Sequence, residues 1–230
     1  MLNQALVLKS RVSSAFAITD VENLKVWFKF NTGQGTITDG IQWNDSSGNN
    51  NHASQTADAQ EGSGFSGGGF VTDSDNNDNL DFSTTFVDSG DYHVFMVLDL
   101  SEESNESFLT SVDNSSFMRF GQGGTAEAFR MKNGGTTLNI TLSSGFGTTK
   151  AIAEVTRNSS NVVRVLKNGV SLGSGTGSGT FGFEQIGASS GASSITTATI
   201  FEVVIFSSAL SSADATKVRN DIADRNSISL

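Results

Sequence analysis

The segment Asp91-Tyr-His-Val-Phe-Met-Val-Leu-Asp-Leu100 decides the fold. In an extended chain successive side chains point to opposite faces, so Tyr92, Val94, Met96, Leu98 and Leu100 share one side while His93, Phe95, Val97 and Asp99 share the other. Both sides are largely apolar. A strand of that kind must be covered from above and below, which places it at the centre of a sheet buried on both faces.

Working outward, the same period-two alternation recurs. In Leu24-Lys-Val-Trp-Phe-Lys-Phe30, Val26, Phe28 and Phe30 take one face and Lys25, Trp27 and Lys29 the other. Further strands are expected over 107–112, 117–121, 126–131, 136–142, 149–157, 162–167, 181–186 and 197–206. Gly- and Asn-rich punctuation separates them, at 121–124, 133–135, 158–161, 168–169 and 173–179. Asn168-Gly169 is the strongest hairpin signal, since both residues tolerate the positive φ of a type I′ turn. Many short strands with frequent turn signals predict an all-β chain, an antiparallel β-sandwich of jelly-roll type. The pattern lacks the helix alternation of a parallel α/β fold.

One helix is expected, at the C-terminus. Ser211 with Asp214 three residues on makes a capping-box variant, and Ala215, Val218 and Ile222 recur on one helical face. The chain divides into an N-terminal arm, residues 1–20, and a single sandwich domain, residues 21–230.

Composition supports this organisation. The 230 residues are 36% hydrophobic and include 17 Phe, enough for a packed interior. There is no Cys, which excludes disulfides, zinc thiolates and thiol catalysis, and no Pro, which leaves the turns to Gly and Asx chemistry. The start, Met1 to Lys9, has a short apolar run with no basic stretch before it, so no signal peptide is expected. Nothing is long enough to span a bilayer as a helix, and no membrane insertion is expected. The formal net charge is -10, and between Phe30 and Met118 fifteen Asp or Glu stand against no Lys or Arg. That distribution opposes nucleic-acid binding, which needs cations to displace phosphate counterions.

The residues that carry chemistry are few. The string Asp73-Ser-Asp-Asn-Asn-Asp78 begins like a calcium loop, but Asp78 stands where the turn needs Gly and Thr84 where it needs Glu. His52 and His93 have no second His at ligand spacing, so no metal and no cofactor are expected. Two G-x-S-x-G matches, at 64–68 and 187–191, lie in Gly-rich stretches without the helix of a nucleophile elbow. Glu102-Glu-Ser-Asn-Glu106 reads as a solvated turn. Glu202, on the same face as Ile200, Val204 and Phe206, reads as a structural hydrogen-bond acceptor. In Trp43-Asn-Asp-Ser-Ser-Gly-Asn-Asn-Asn-His52, Trp43, Asn44 and Asn50 are the candidate carbohydrate-binding residues, an aromatic ring for stacking with amides for hydroxyls. The alternative is that Trp43 and Trp27 are core and loop anchors while Asp45, Ser47, Gly48 and Asn49 make a turn whose side chains satisfy backbone groups.

Three segments in order resemble the laminin G-like branch of the concanavalin A-like lectin/glucanase superfamily. They are Leu24 to Phe30 with the loop Ile41 to Gln55, the hairpin Ala153 to Gly173, and Phe201-Glu-Val-Val-Ile-Phe-Ser-Ser-Ala-Leu-Ser-Ser-Ala-Asp214. The resemblance covers most of 24–225 and implies the jelly-roll sandwich. The paired carboxylates of the fold's glucanases, E-x-D-x-x-E on one strand, are missing, so no catalytic residues are expected. Domains of this type occur on tailed-bacteriophage particles, which implies a non-enzymatic virion protein made in the host cytoplasm. It would decorate the capsid exterior, or belong to a tail or fibre, with capsid or other virion proteins as partners and homo-oligomers possible. Leu2, Leu6, Val7, Leu8, Lys9 and Arg11 in the arm are the candidate docking residues. The alternative function is a lectin-like module that recognises a host or environmental glycan.

Overall fold

The computed structural model describes residues 16–56, 64–72, 78–88, 90–187 and 197–230. In chain order the first strands are β1 (Leu24–Phe28), β2 (Gln34–Ile37), β3 (Gly40–Trp43), β4 (Ala53–Thr56), β5 (Gly64–Ser66), β6 (Gly69–Thr72), β7 (Asn79–Asp88) and β8 (Tyr92–Leu100). There follow β9 (Glu106–Thr110), β10 (Phe117–Phe120), β11 (Ala128–Asn133), β12 (Thr136–Thr141), β13 (Ala151–Arg157), β14 (Val162–Lys167), β15 (Val170–Thr176), β16 (Phe181–Gly187) and β17 (Ala198–Phe206). The chain ends in helix α1 (Ser212–Asn226).

All pairings among these strands are antiparallel, and they make two sheets packed face to face. One runs β15-β14-β13-β8-β17-β6-β5, with β1 also paired to β17; the other runs β12-β11-β10-β9-β16-β7-β4-β3-β2. The chain is therefore an all-β jelly-roll sandwich with one C-terminal helix. Strand β8 is central and double-faced as its sequence dictates. Tyr92, Val94, Met96, Leu98 and Leu100 point into the core between the sheets, and Phe95 and Val97 point outward into a second apolar layer. That layer is closed by Ala215, Val218, Ile222 and Ala223 of α1. The helix starts where expected: the Asp214 amide donates to Ser211 Oγ at 3.1 Å, and Ser211 Oγ donates to Asp214 Oδ2 at 2.8 Å.

Several sequence expectations change. Ile18, assigned to the arm, is fully buried in the helix-side layer, so the packed domain begins before residue 21. Residues 1–15, with the candidate docking side chains Leu2, Leu6, Val7, Leu8, Lys9 and Arg11, lie outside the described residues, as do 73–77 of the calcium-like string. Phe30 falls beyond β1 and packs its ring on Phe201, centroids 6.0 Å apart. A bulge between Ile200 and Glu202 breaks the alternation of β17. Ile200 joins the inner core while Phe201 packs on the helix side, so Glu202 shares a face with Val204 and Phe206 but not with Ile200.

The Gly-rich run 173–179, expected as a loop, is largely strand β15. A Cβ on Gly175 would stand 3.1 Å from Leu138 and 3.2 Å from Ile140, and one on Gly173 would meet the Thr141 carbonyl at 2.8 Å. These glycines let the edge of one sheet approach β12 of the other closely enough to seal the sandwich side.

Candidate functional site

The loop between β3 and β4 is built by one carboxylate. Asp45 Oδ1 accepts the amides of Trp27 and Ser47, both at 2.9 Å, and its Oδ2 accepts Ser47 Oγ at 2.6 Å and the Asn51 amide at 3.0 Å. The Asp45 amide donates to His52 Nδ1 at 3.1 Å. Asn49 and Asn51 donate to the Lys25 carbonyl, and Asn49 to that of Leu24 as well. The polar side chains of this stretch thus satisfy backbone groups of the loop and of the neighbouring β1, as Asx residues do in turns.

The three candidate sugar-binding residues are not brought together. Trp43 is 0% exposed, its ring packed on Phe28 and Phe65 and its Nε1 donating to the carbonyls of Lys29 and Thr32. No face of the ring is left for a sugar, which corrects its reading as a stacking platform. Asn44 points the opposite way, exposed, with Oδ1 accepting from Gln42. Asn50, also exposed, sits at φ 59° and its carbonyl accepts from Ser83 Oγ at 3.1 Å. Trp27 is a helix-side anchor, its Nε1 donating to Glu202 at 2.8 Å.

Glu202 is a satisfied acceptor. Fully buried, it also receives Arg225 and Asn226 Nδ2, the latter at 2.6 Å. Glu106 departs from the solvated turn expected of it. It is 1% exposed, and burial first, then the charge of Glu102, pushes its carboxyl up to about 8. Among the described residues no group of acidic, His or Cys side chains is arranged to hold a metal ion.

The outer faces of the two sheets differ. Helix α1 covers that of the β8 sheet; that of the nine-stranded sheet carries no helix among the described residues. Register pairs trace one row across all nine strands: Gly35, Gln42, Ser54, Asp81, Gln185, Thr110, Phe117, Lys132 and Thr137. On one side of this row Trp43, Ala53 and Phe82 pair, and on the other Leu80, Ile186, Leu109, Met118, Met131 and Leu138 pair, all of them apolar. The pleat sends the first row to the outer side of the sheet, where Gln185, Thr110 and Phe117 are nonetheless buried, and the apolar residues beside it to the core.

In the middle of the outward row a polar cluster is joined by hydrogen bonds. Gln185 Nε2 donates to Asp81 Oδ1 at 2.6 Å, Asn79 Nδ2 to the same oxygen at 2.5 Å, and Thr110 Oγ1 to Gln185 Oε1 at 3.2 Å. Beside it Arg119 donates to Ser107 Oγ at 2.9 Å and lies 4.5 Å over the Phe117 ring, while its cross-strand neighbour Arg130 donates to Asn139 at 2.7 Å. Neither arginine has a carboxylate within ion-pair distance among the described residues, although the Glu106 carboxyl lies near enough to Arg119 to interact with it. Burial first, then the Arg130 charge, lowers the Arg119 pKa. Thr110 and Gln185 form a nearly inaccessible floor, and Asp81 and Asn139 stand exposed. Alternation within each strand foretold an outward face, but the order β9-β16-β7 that aligns these residues joins strands far apart in sequence.

No protein-family model matches the chain, and no curated protein matches it. Solved structures do. The binding domain of Paraclostridial Mosquitocidal Protein 1 superposes with a TM-score of 0.58 at 17% identity, over 88% of this chain and 52% of that one. Botulinum neurotoxin type C, whose cell entry depends on interaction with two ganglioside molecules, gives 0.59 at 14% over 89% and 52%. Trypanosoma rangeli sialidase, in complex with 2,3-difluorosialic acid, gives 0.58 at 11% over 95% and 35%. The chain thus spans about half the length of the toxin chains and about a third of the sialidase. At these identities the likeness establishes a shared all-β fold.

Proposed function

We propose that the chain is a non-enzymatic glycan-binding module whose site is the helix-free outer face of the nine-stranded sheet. The observation that carries this reading is the polar row with its flanking arginines. Asp81, fixed by the buried Gln185 and Asn79, and Asn139, fixed by Arg130, hold acceptors at the surface, and Arg119 and Arg130 hold donors, all at low ordering cost for sugar hydroxyls. Arg119, 4.5 Å over the Phe117 ring, offers guanidinium donors in place of an open aromatic ring. The fold neighbours support the same direction, since one is a toxin dependent on gangliosides and another a sialidase holding a sialic acid derivative. Decoration of a virion, the placement implied by the sequence resemblance, draws no support from them.

The test is a glycan array probed with the parent chain and with Arg119→Ala and Arg130→Ala, both of which remove partly exposed side chains outside the core. Binding to a defined set of glycans, weakened about tenfold or more by either substitution, is expected. A blank array, or binding indifferent to both substitutions, would refute the site.

A further inference from the structure

On the opposite side of the sandwich, between the first two turns of α1 and the outer face of β8, β13 and β14, lies a cavity of about 320 Å³. Its walls include His93, Glu154, Thr156, Arg164, Thr216 and Arg219. Three of these are set by register: His93, Thr156 and Arg164 form one row across three adjacent strands.

The charges of the cavity are unevenly matched. Glu154, fully buried, is held by the Arg219 guanidinium through Nε and through Nη2 at 3.0 Å, so those two charges cancel. Arg164 is exposed and has no hydrogen-bond or ion-pair partner among the described residues. One guanidinium therefore faces the cavity uncompensated. Gly169 keeps the arrangement open, because a Cβ there would stand 2.8 Å from Arg219 Nε.

His93 supplies an independent observation. It is 4% exposed, its ring stacked on Phe95 with centroids 4.3 Å apart, and its Nε2 stands 3.4 Å from Glu154 Oε2. Burial lowers its pKa, so the ring is neutral near pH 7; with the proton on Nε2, towards Glu154, Nδ1 is an acceptor. That Nδ1 has no partner among the described residues. A buried acceptor left unmet is an exception in folded proteins, and this one belongs to a residue of the cavity wall.

We infer that this cavity is a second binding site, for a hydroxylated anion of monosaccharide size whose carboxylate or phosphate pairs with Arg164 and whose hydroxyls lie against the wall formed by His93, Thr156 and Thr216. The volume lies at the lower end of the range for small-molecule sites. Guanidinium with carboxylate or phosphate is the pairing that gives bidentate recognition. The site lies across the sandwich from the polar row, so either can fail without the other.

The chain has two histidines, and His52, in the β3–β4 loop, serves as internal control. Imidazole resonances are followed by NMR during titration with glucuronate, glucose 6-phosphate, glucose and inorganic phosphate. Saturable shifts of His93 but not His52 are expected with at least one acidic sugar, and none with glucose. Response to glucuronate alone identifies a carboxylate ligand, and response to glucose 6-phosphate alone a phosphate ester. Arg164→Ala should weaken binding about tenfold or more, while Arg119→Ala leaves it unchanged. Silence of His93 at millimolar concentration of both acids would overturn the proposal, as would full affinity in Arg164→Ala or inorganic phosphate binding as tightly as either sugar acid.

Discussion

Two glutamates show how much a single buried carboxyl depends on its partners. Glu202 is ringed by Trp27, Arg225 and Asn226, so Glu202→Gln leaves a half-buried guanidinium short of charge. A loss of roughly 2 to 4 kcal/mol is expected in urea unfolding, with the Arg225 to Asp221 pair limiting the damage. Glu106 has the opposite character. Its folded pKa of about 8 exceeds the ordinary 4.5, so the folded state holds the proton more tightly than the unfolded chain. Its contribution is intact below pH 4.5 and is lost as the pH rises through about 8, at up to about 1.4 kcal/mol per unit. Glu106→Gln should therefore gain stability relative to the parent between pH 5 and pH 8, measured as the difference between paired denaturation curves. A difference independent of pH would show that the carboxyl is not buried as described. Nothing in Glu102-Glu-Ser-Asn-Glu106 distinguishes its last residue, because burial there is decided by pairing with β10.

Among the elements, strand β8 and helix α1 were legible because each carries its own period, two in one case and 3.6 in the other. The closing hairpin β14–β15 was legible at its turn, where Asn168 and Gly169 take φ of 49° and 81°. Strand β15 itself was not, since a strand of alternating glycines bears no hydrophobic pattern and makes sense only against the sheet edge it admits. Gly175→Val should cost about 1 to 3 kcal/mol by forcing β15 off Leu138 and Ile140, whereas Ser174→Val, on the exposed side, should stay within about 0.5 kcal/mol. Equal effects, read from thermal unfolding, would mean that the two sheet edges do not meet there. The bulge at Ile200 was equally hidden, because two neighbours on one face look like ordinary alternation until the partner strand is counted.

For the whole molecule, the sandwich packs one sheet face under helix α1 and leaves the other without a helix among the described residues, and that asymmetry is the basis of the proposed site. The densest polar stretch, 43–55, reads in the sequence as a turn or a sugar site, and its side chains satisfy backbone groups as the turn reading has it. The proposed site draws on β4, β7, β16, β9, β10 and β11, with exposed Asp81 and buried Gln185 more than a hundred residues apart yet joined by a hydrogen bond. No local pattern reports such a site; sheet order does. The most direct measurement is amide chemical-shift mapping of the chain with the strongest glycan from the array. Shifts clustered on Asp81, Thr110, Arg119, Arg130, Asn139 and Gln185 are predicted, and shifts confined to the 43–55 loop or to helix α1 would contradict the assignment of the site.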